Sequence, residues 1–414
     1  MICITTILSI QSVVNSVVPS PGLRPFSPAG KGVGGERAAA TERRSCELAY
    51  VALFTSLLGV LLTGSTLAAA DLGEAGSWLA KQGGTLSIDR PSQAASVSLR
   101  YSWIADGDLA RLTSIPTIQH LDLSYTHVTD NGLEHLKRLP GVVELDLGFA
   151  EFITDEGLAH LKGWSALERL SLRGTKITDT GLEHLSGLTR LKSLDVSFSR
   201  ISEHGLDHLM GLSQLEQFVM GGNKMGGNRL AQLRSLPALV HLDLSGEQRT
   251  DSNLWGIRLN DLDLDHIAAL PRLRGLNLGG RKITDLGVAK LKTLLSLQTL
   301  DLSETQVTGA GLKTLALLPR LERLRLWKAG KIDDSALLSL APLKHLSFLD
   351  LAETTVTDKG LEHLVGMNQL RQLFVGGTQV TAAGVEKFQQ SHPNCQVSRF
   401  ASKSEPRKAD DEED

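Results

Sequence analysis

The sequence predicts a curved α/β solenoid: about twelve copies of one strand-turn-helix unit, stacked so that the strands form a parallel sheet on the concave side and the helices line the convex side, with a cap at each end. Three observations predict it. The phrase "LDLSYTHVTDNGLEHLKRL" (121–139) returns as "LDLGFAEFITDEGLAHLKGW", "LSLRGTKITDTGLEHLSGL" and "LDLAETTVTDKGLEHLVGM". The residue that opens each strand recurs at Val97, Leu121, Leu145, Leu170, Leu194, Phe218, Leu242, Leu276, Leu300, Leu324, Leu349 and Leu373, with gaps of 24 or 25 residues and a single gap of 34. No single copy can bury its own leucines, so neighbouring copies must supply the core.

In chain order, residues 1–45 are Pro-, Gly- and Ser-rich and aperiodic; they read as a disordered extension, or as sequence ahead of the true start. Residues 46–70 contain the uncharged run "LAYVALFTSLLGVLLTGSTLAAA" just after Arg43 and Arg44. That pattern fits a secretory signal cleaved after Ala70, and it also fits an uncleaved anchor tethering the chain through 48–70. Both readings put residues 71 onward outside the cytoplasm, whether periplasmic, at the cell surface or secreted. Residues 71–96 form an N-terminal cap: a short helix with Trp78 and Leu79, then a strand over 85–89.

The repeats follow, over 97–398. In the first of the four phrases above, Leu121 and Leu123 point inward and Asp122 outward, because strand side chains alternate. Thr129 is placed to cap a helix, Asp130 suits the positive end of its dipole, and Leu133, Leu136 and Leu139 line one helical face. The long gap after Leu242 contains an insertion, 247–258, expected to leave one rim as a loop. "AAGVEKFQQSHPNCQVSRF" supplies a last helix and a final strand near Val397, and residues 399–414 read as a disordered acidic tail.

The "T-D-x-G-L-x-H-L" phrase and its 24-residue period resemble the leucine-rich-repeat family, in particular the bacterial type that is similar to ribonuclease-inhibitor repeats. The resemblance covers roughly 85–398. It implies a horseshoe solenoid that recognises another protein on its concave face. It also implies no enzyme, since catalytic members carry a separate domain for which this reading leaves no segment.

Composition points the same way. A net charge of −3 with 21% charged residues provides no broad basic field for nucleic acid. Of the three cysteines, Cys3, Cys46 and Cys395, an exported chain keeps only Cys395, so no internal disulfide is expected. "GGNKMGGN" (221–228) lacks the Lys-Ser or Lys-Thr ending of a phosphate loop and reads as a degenerate turn. The helix residues His135, His160, His184, His208 and His363 sit one per turn, too far apart for a shared metal. No cofactor and no catalytic constellation is expected.

A row of outward aspartates, Asp122, Asp146, Asp195, Asp243, Asp301 and Asp350, motivates the alternative of a structural envelope protein binding calcium on its concave face. Partner recognition is favoured over it because binding residues cluster where the repeat departs from its pattern. Arg323, Arg325, Trp327, Phe348 and Phe374 occupy outward strand positions in the C-terminal turns. A second row, Tyr125, Phe149 and Phe198, follows the N-terminal strands at their exit, and Arg249, Trp255 and Arg258 lie in the insertion. The expected partner is a protein, and the chain itself is expected to be monomeric.

Overall fold

The computed structural model describes residues 73–115, 117–249 and 254–400. The extension over 1–45, the signal or anchor over 46–70 and the tail beyond 400 lie outside the described residues. No helix among the described residues is long and apolar enough to cross a membrane.

Among the described residues one sheet of fourteen strands runs the length of the repeat array, in chain order apart from the insertion. Its first pair, Thr85–Ile88 with Ala95–Ser98, is antiparallel. Every later pair is parallel, and the register sets each strand-opening residue against the next, from Val97 opposite Leu121 to Leu373 opposite Val397. Leu121, Leu145, Leu170 and the rest of that column are buried, as are the residues two further on, so each turn contributes two strand side chains to one continuous core. Burying each such leucine stabilises the fold by about 1.5–3 kcal/mol.

The return path is short. Helices such as Asp130–Leu136, Asp179–Leu185 and Gly309–Leu315 span seven residues, and other turns use a single α turn or a 3-10 helix, as in Glu203–Leu209. None would persist alone, since isolated helices need roughly 12–15 residues. The helix after Thr129 ends at Leu136, earlier than the sequence pattern implies. Leu139 and Val142 are buried from the returning segment instead, because a 24-residue period leaves no room for a longer helix.

The "T-D-x-G" phrase works between turns. Thr129 does cap its own helix, accepting from Asn131 N at 3.3 Å. Asp130, however, reaches the following turn: its carboxylate accepts from Thr154 N at 2.8 Å and from the Thr154 hydroxyl at 2.6 Å. The same double bond joins Asp106 to Thr129, Asp155 to Thr178, Asp179 to Ser202, Asp261 to Thr284, Asp285 to Thr308, Asp334 to Thr357 and Asp358 to Thr381. Bonds from the Thr381 backbone and hydroxyl hold the Asp358 carboxyl below the usual carboxylate range.

The glycine follows from the aspartate. A Cβ on Gly181 would lie 2.5 Å from Asp155 Oδ1, and one on Gly132 would lie 2.6 Å from Asp106 Oδ1. Gly157 meets Asp130 in the same way. In a helix, Gly→Ala ordinarily stabilises by about 0.5–1 kcal/mol. Here Gly157→Ala is expected to destabilise by roughly 1–3 kcal/mol, because the carboxylate can move only by giving up its two bonds. Gly163→Ala, where an added Cβ meets nothing, should stay within about 0.5 kcal/mol in the same urea titrations.

Candidate functional site

Three columns of side chains stand on the open face of the sheet, at one residue before, one after and three after each strand-opening residue. The middle column carries the aspartates, and each uses Oδ1 on its own turn, while Asp122 and Asp243 also accept through Oδ2 from Ser98 and Asn277 on the adjacent strands. Asp122 Oδ1 accepts from Ser124 N at 2.9 Å and from Ser124 Oγ at 2.6 Å; Asp195 and Asp243 repeat this with Ser197 and Ser245. Asp146, Asp301 and Asp350 accept from the backbone N–H two residues on. These are Asx turns that end the strands. Among the described residues no group of three or more His, Cys, Asp or Glu is arranged to hold a metal ion.

Asp301 is the exception in charge. Burial pushes its carboxyl above the ordinary range, against the opposing pull of the Ser303 bonds and Arg325. Asn277, on the adjacent strand, makes the same turn without a charge, its Oδ1 accepting from Gly279 N at 3.0 Å.

The C-terminal cluster is assembled differently from the sequence expectation. Phe348 is 3% exposed, which corrects its reading as an outward contact residue. The guanidinium of Arg323, its partner on the preceding strand, lies 4.1 Å from its ring centroid and that of Arg325 lies 5.4 Å away. Phe374 packs on its other flank at 5.3 Å. Long arginine side chains fold over a ring rather than leave it in water. Arg323, Arg325, Trp327 and Phe374 remain partly exposed above it. Trp327 is flanked by Lys328, 4.0 Å from its ring, and its buried Nε1 has no hydrogen-bond partner.

The insertion is a hairpin, not a loop. Glu247–Arg249 pairs antiparallel with Leu254–Arg258, and the second strand pairs in parallel with Met225–Gly226, the degenerate turn of the preceding repeat. A buried residue that sequence reasoning missed holds it. Arg281, 4% exposed, donates to Ile257 O at 2.5 Å and Gly246 O at 3.1 Å, and its guanidinium stands 3.5 Å from Glu247. Arg281 occupies the position where most other turns place Thr, Ser or Ala, so the visible signal was a charge at a core offset. Burial lowers its pKa, with Glu247 and Asp243 acting against that. Gln248 and Trp255 face each other across the hairpin, and Gln248 Oε1 and Trp255 Nε1 are both buried without a hydrogen bond. Lys224 lies 5.9 Å from the Trp255 ring, and Arg258 is exposed.

The strand-exit row is longer than Tyr125, Phe149 and Phe198. Four residues after each strand-opening residue the chain turns through left-handed backbone: Gly174, Gly222, Gly246, Gly280 and Gly377 have φ of 67–89°, while Tyr101, Tyr125, Phe149 and Phe198 hold φ of 56–59°. That conformation costs a residue with a side chain about 1–2 kcal/mol, so glycine is the undemanding choice there. The rings form a column. Tyr101 and Tyr125 are 4.6 Å apart, Tyr125 and Phe149 4.7 Å. Arg100 covers the two tyrosines, and Arg173 bridges Phe149 to Phe198 at 5.4 and 4.5 Å. Two residues further out a second row starts at Trp103, stacked on His127 at 4.8 Å, and continues through Phe152 to Lys176. Tyr101 shares the offset of Tyr125 within its turn, which was the available signal; the extra residue in the 25-residue turn after Leu145 brings out Phe152.

Two outcomes follow. Arg281→Ala removes two buried hydrogen bonds to the hairpin and leaves a cavity beneath it, so it should cost about 2–4 kcal/mol and open residues 247–258 to protease well before global unfolding. A carboxyl whose folded pKa is raised binds protons more tightly when folded; its contribution to stability is full below the unfolded pKa and is lost as pH rises through the folded value. Asp301→Asn should therefore raise the melting temperature at neutral pH, by an amount that shrinks as pH falls towards the ordinary carboxylate range.

The leucine-rich-repeat family model matches residues 114–137, 166–186, 293–316 and 343–365, four turns of the solenoid. No curated protein matches the sequence. Among solved structures the fold is similar to an internalin from Listeria monocytogenes, at 19% identity over 74% of this chain and 87% of that one, with a TM-score of 0.53. It is also similar to a leucine-rich-repeat protein of Leptospira interrogans, at 17% identity over 70% and 80% of the two chains, with a TM-score of 0.46. Four turns of the array are thus leucine-rich repeats, and the register and the repeated turn carry the same architecture through the turns between them.

Proposed function

We propose that the protein is an exported or membrane-tethered recognition module that binds another protein on the open, concave side of its sheet. Repeats of this family serve in general as binding scaffolds. The observation that carries the reading is the change of chemistry across the sheet. In the middle column of the open face most turns carry Asp, Asn or Ser; on the strands at 323–325 and 372–374 that column becomes Arg325 and Phe374, with Trp327 beside them. Arg325, Trp327 and Phe374, set on the buried Phe348, have the residue types and the rigid backing of interface hot spots. The hairpin with Trp255 and Arg258 supplies a flanking contact. Export rests on the uncharged run over 48–70 and the arginines before it.

A pull-down from envelope extract with the full chain, beside Arg325→Ala, Trp327→Ala and Phe374→Ala combined, tests the site. Hot-spot truncations cost about 2 kcal/mol or more each, so the captured protein should be lost at least roughly thirtyfold while circular dichroism and melting stay unchanged. Full retention by the variant would contradict the reading.

A further inference from the structure

The strand exits ahead of the hairpin differ from those after it. Along 99–104, 123–128, 147–153, 172–177, 196–201 and 220–225 the charged residues are Arg100, Arg173, Lys176, Arg200 and Lys224 against Glu151 alone, in a chain of net charge −3. After the hairpin the left-handed positions carry Glu304, Lys328 and Glu353, with Lys328 within 4 Å of both carboxylates. Over the same offsets after the hairpin, with Arg281 buried, Lys282, Lys328 and Lys331 stand against Glu304 and Glu353, so that half is closer to balance and has no column of rings, whereas the half ahead of the hairpin is aromatic and basic.

We propose that the aromatic-basic half of the rim, from Trp103 to the hairpin, is a second docking surface whose occupant is an extended acidic segment of a partner protein carrying aromatic or aliphatic side chains. This goes beyond the sheet-face reading and does not depend on it.

Charge complementarity selects the acidic partner. Arg200 and Lys224 are exposed beside the column, and Lys176 closes the outer row. The arrangement of the rings selects protein over other anions. Nucleic-acid bases and sugars bind aromatic side chains through open ring faces. Between neighbours of the inner column those faces are taken by rings or guanidinium groups at 4.5–5.4 Å, which leaves mainly ring edges outward, and the Tyr101 hydroxyl accepts from Arg100 Nη2 at 3.3 Å. Edges backed by rigid stacking suit apolar side chains, with the cations placed to meet carboxylates between them. Trp103, 84% exposed and stacked on one side by His127, provides an open indole face at the end of the row. Non-glycine residues hold the left-handed position in both halves of the rim, Glu304, Lys328 and Glu353 after the hairpin and Tyr101, Tyr125, Phe149 and Phe198 ahead of it; what distinguishes the proposed surface is that all four ahead of the hairpin are aromatic.

The test is selection of random twelve-residue peptides displayed on phage against the full chain, followed by titration of the enriched peptides by fluorescence anisotropy. Enriched sequences should be net acidic with aromatic or aliphatic residues, bind more weakly as salt rises, and lose at least tenfold in affinity to the exposed-site variant Trp103→Ser/Lys176→Glu/Arg200→Glu, which should melt as the wild type does. Affinity should be unchanged by Arg325→Ala with Phe374→Ala. Peptides enriched without acidic bias, peptides bound equally by the rim variant, or no enrichment at all would overturn the proposal. So would rim-dependent binding of a sulfated polysaccharide or oligo-dT that outcompetes the peptides. Peptides lost only from the sheet-face variant would overturn it while leaving the sheet-face reading in place.

Discussion

The solenoid depends on one interaction repeated along its length: an aspartate at the start of each short helix that accepts two hydrogen bonds from the threonine or serine capping the next. Neither helix is long enough to stand alone, and the leucine core is non-directional, so hydrophobic burial by itself would permit neighbouring turns to slide. The bidentate bond fixes both the spacing and the rotation of each turn on the one before. It also explains why glycine sits inside a helix where alanine would otherwise serve better.

The breaks in this pattern coincide with the departures in surface chemistry. Ahead of the insertion, Glu203 reaches Gly226 N at 3.3 Å in place of the aspartate-threonine pair, and the hairpin docks on that turn. Gly309 stands where an aspartate would bind the turn containing Asp333, and Asp333 instead caps its own helix through Ala336 N at 2.9 Å. The arginine-aromatic strand at 323–325 belongs to that same turn. The buried arginine under the hairpin and the stacked rings of the C-terminal sheet lie at neighbouring junctions that keep the repeated bond, Asp261–Thr284, Asp334–Thr357 and Asp358–Thr381, so they add to it rather than replace it.

Much of this was legible in the sequence, for a definite reason. Inward leucines recur with the period of the turn, so strand positions and register followed from counting, and the fourteen strands pair accordingly. What could not be read were roles whose partners lie one turn away. Asp130 looked like a local dipole partner because Thr154 is 24 residues distant. Phe348 looked exposed because the arginines that cover it belong to the preceding strand. Arg281 sits on the turn after the hairpin it holds, so neither segment announced the other. Tyr101 and Trp103 fell in the first turn, where the T-D-x-G phrase is missing, although Tyr101 shares the offset of Tyr125.

The most direct measurement of the inter-turn bond is a double-mutant cycle in the urea unfolding of the intact chain, pairing Asp130→Ala with Thr154→Val. Groups in contact couple by about 0.5–3 kcal/mol, and the account predicts a value in the upper half of that range, with Asp130 and Thr178, which share no bond, additive within about 0.5 kcal/mol. Additivity for Asp130 and Thr154 would contradict it, and would leave the stacking to the leucine core and the backbone ladder of the sheet.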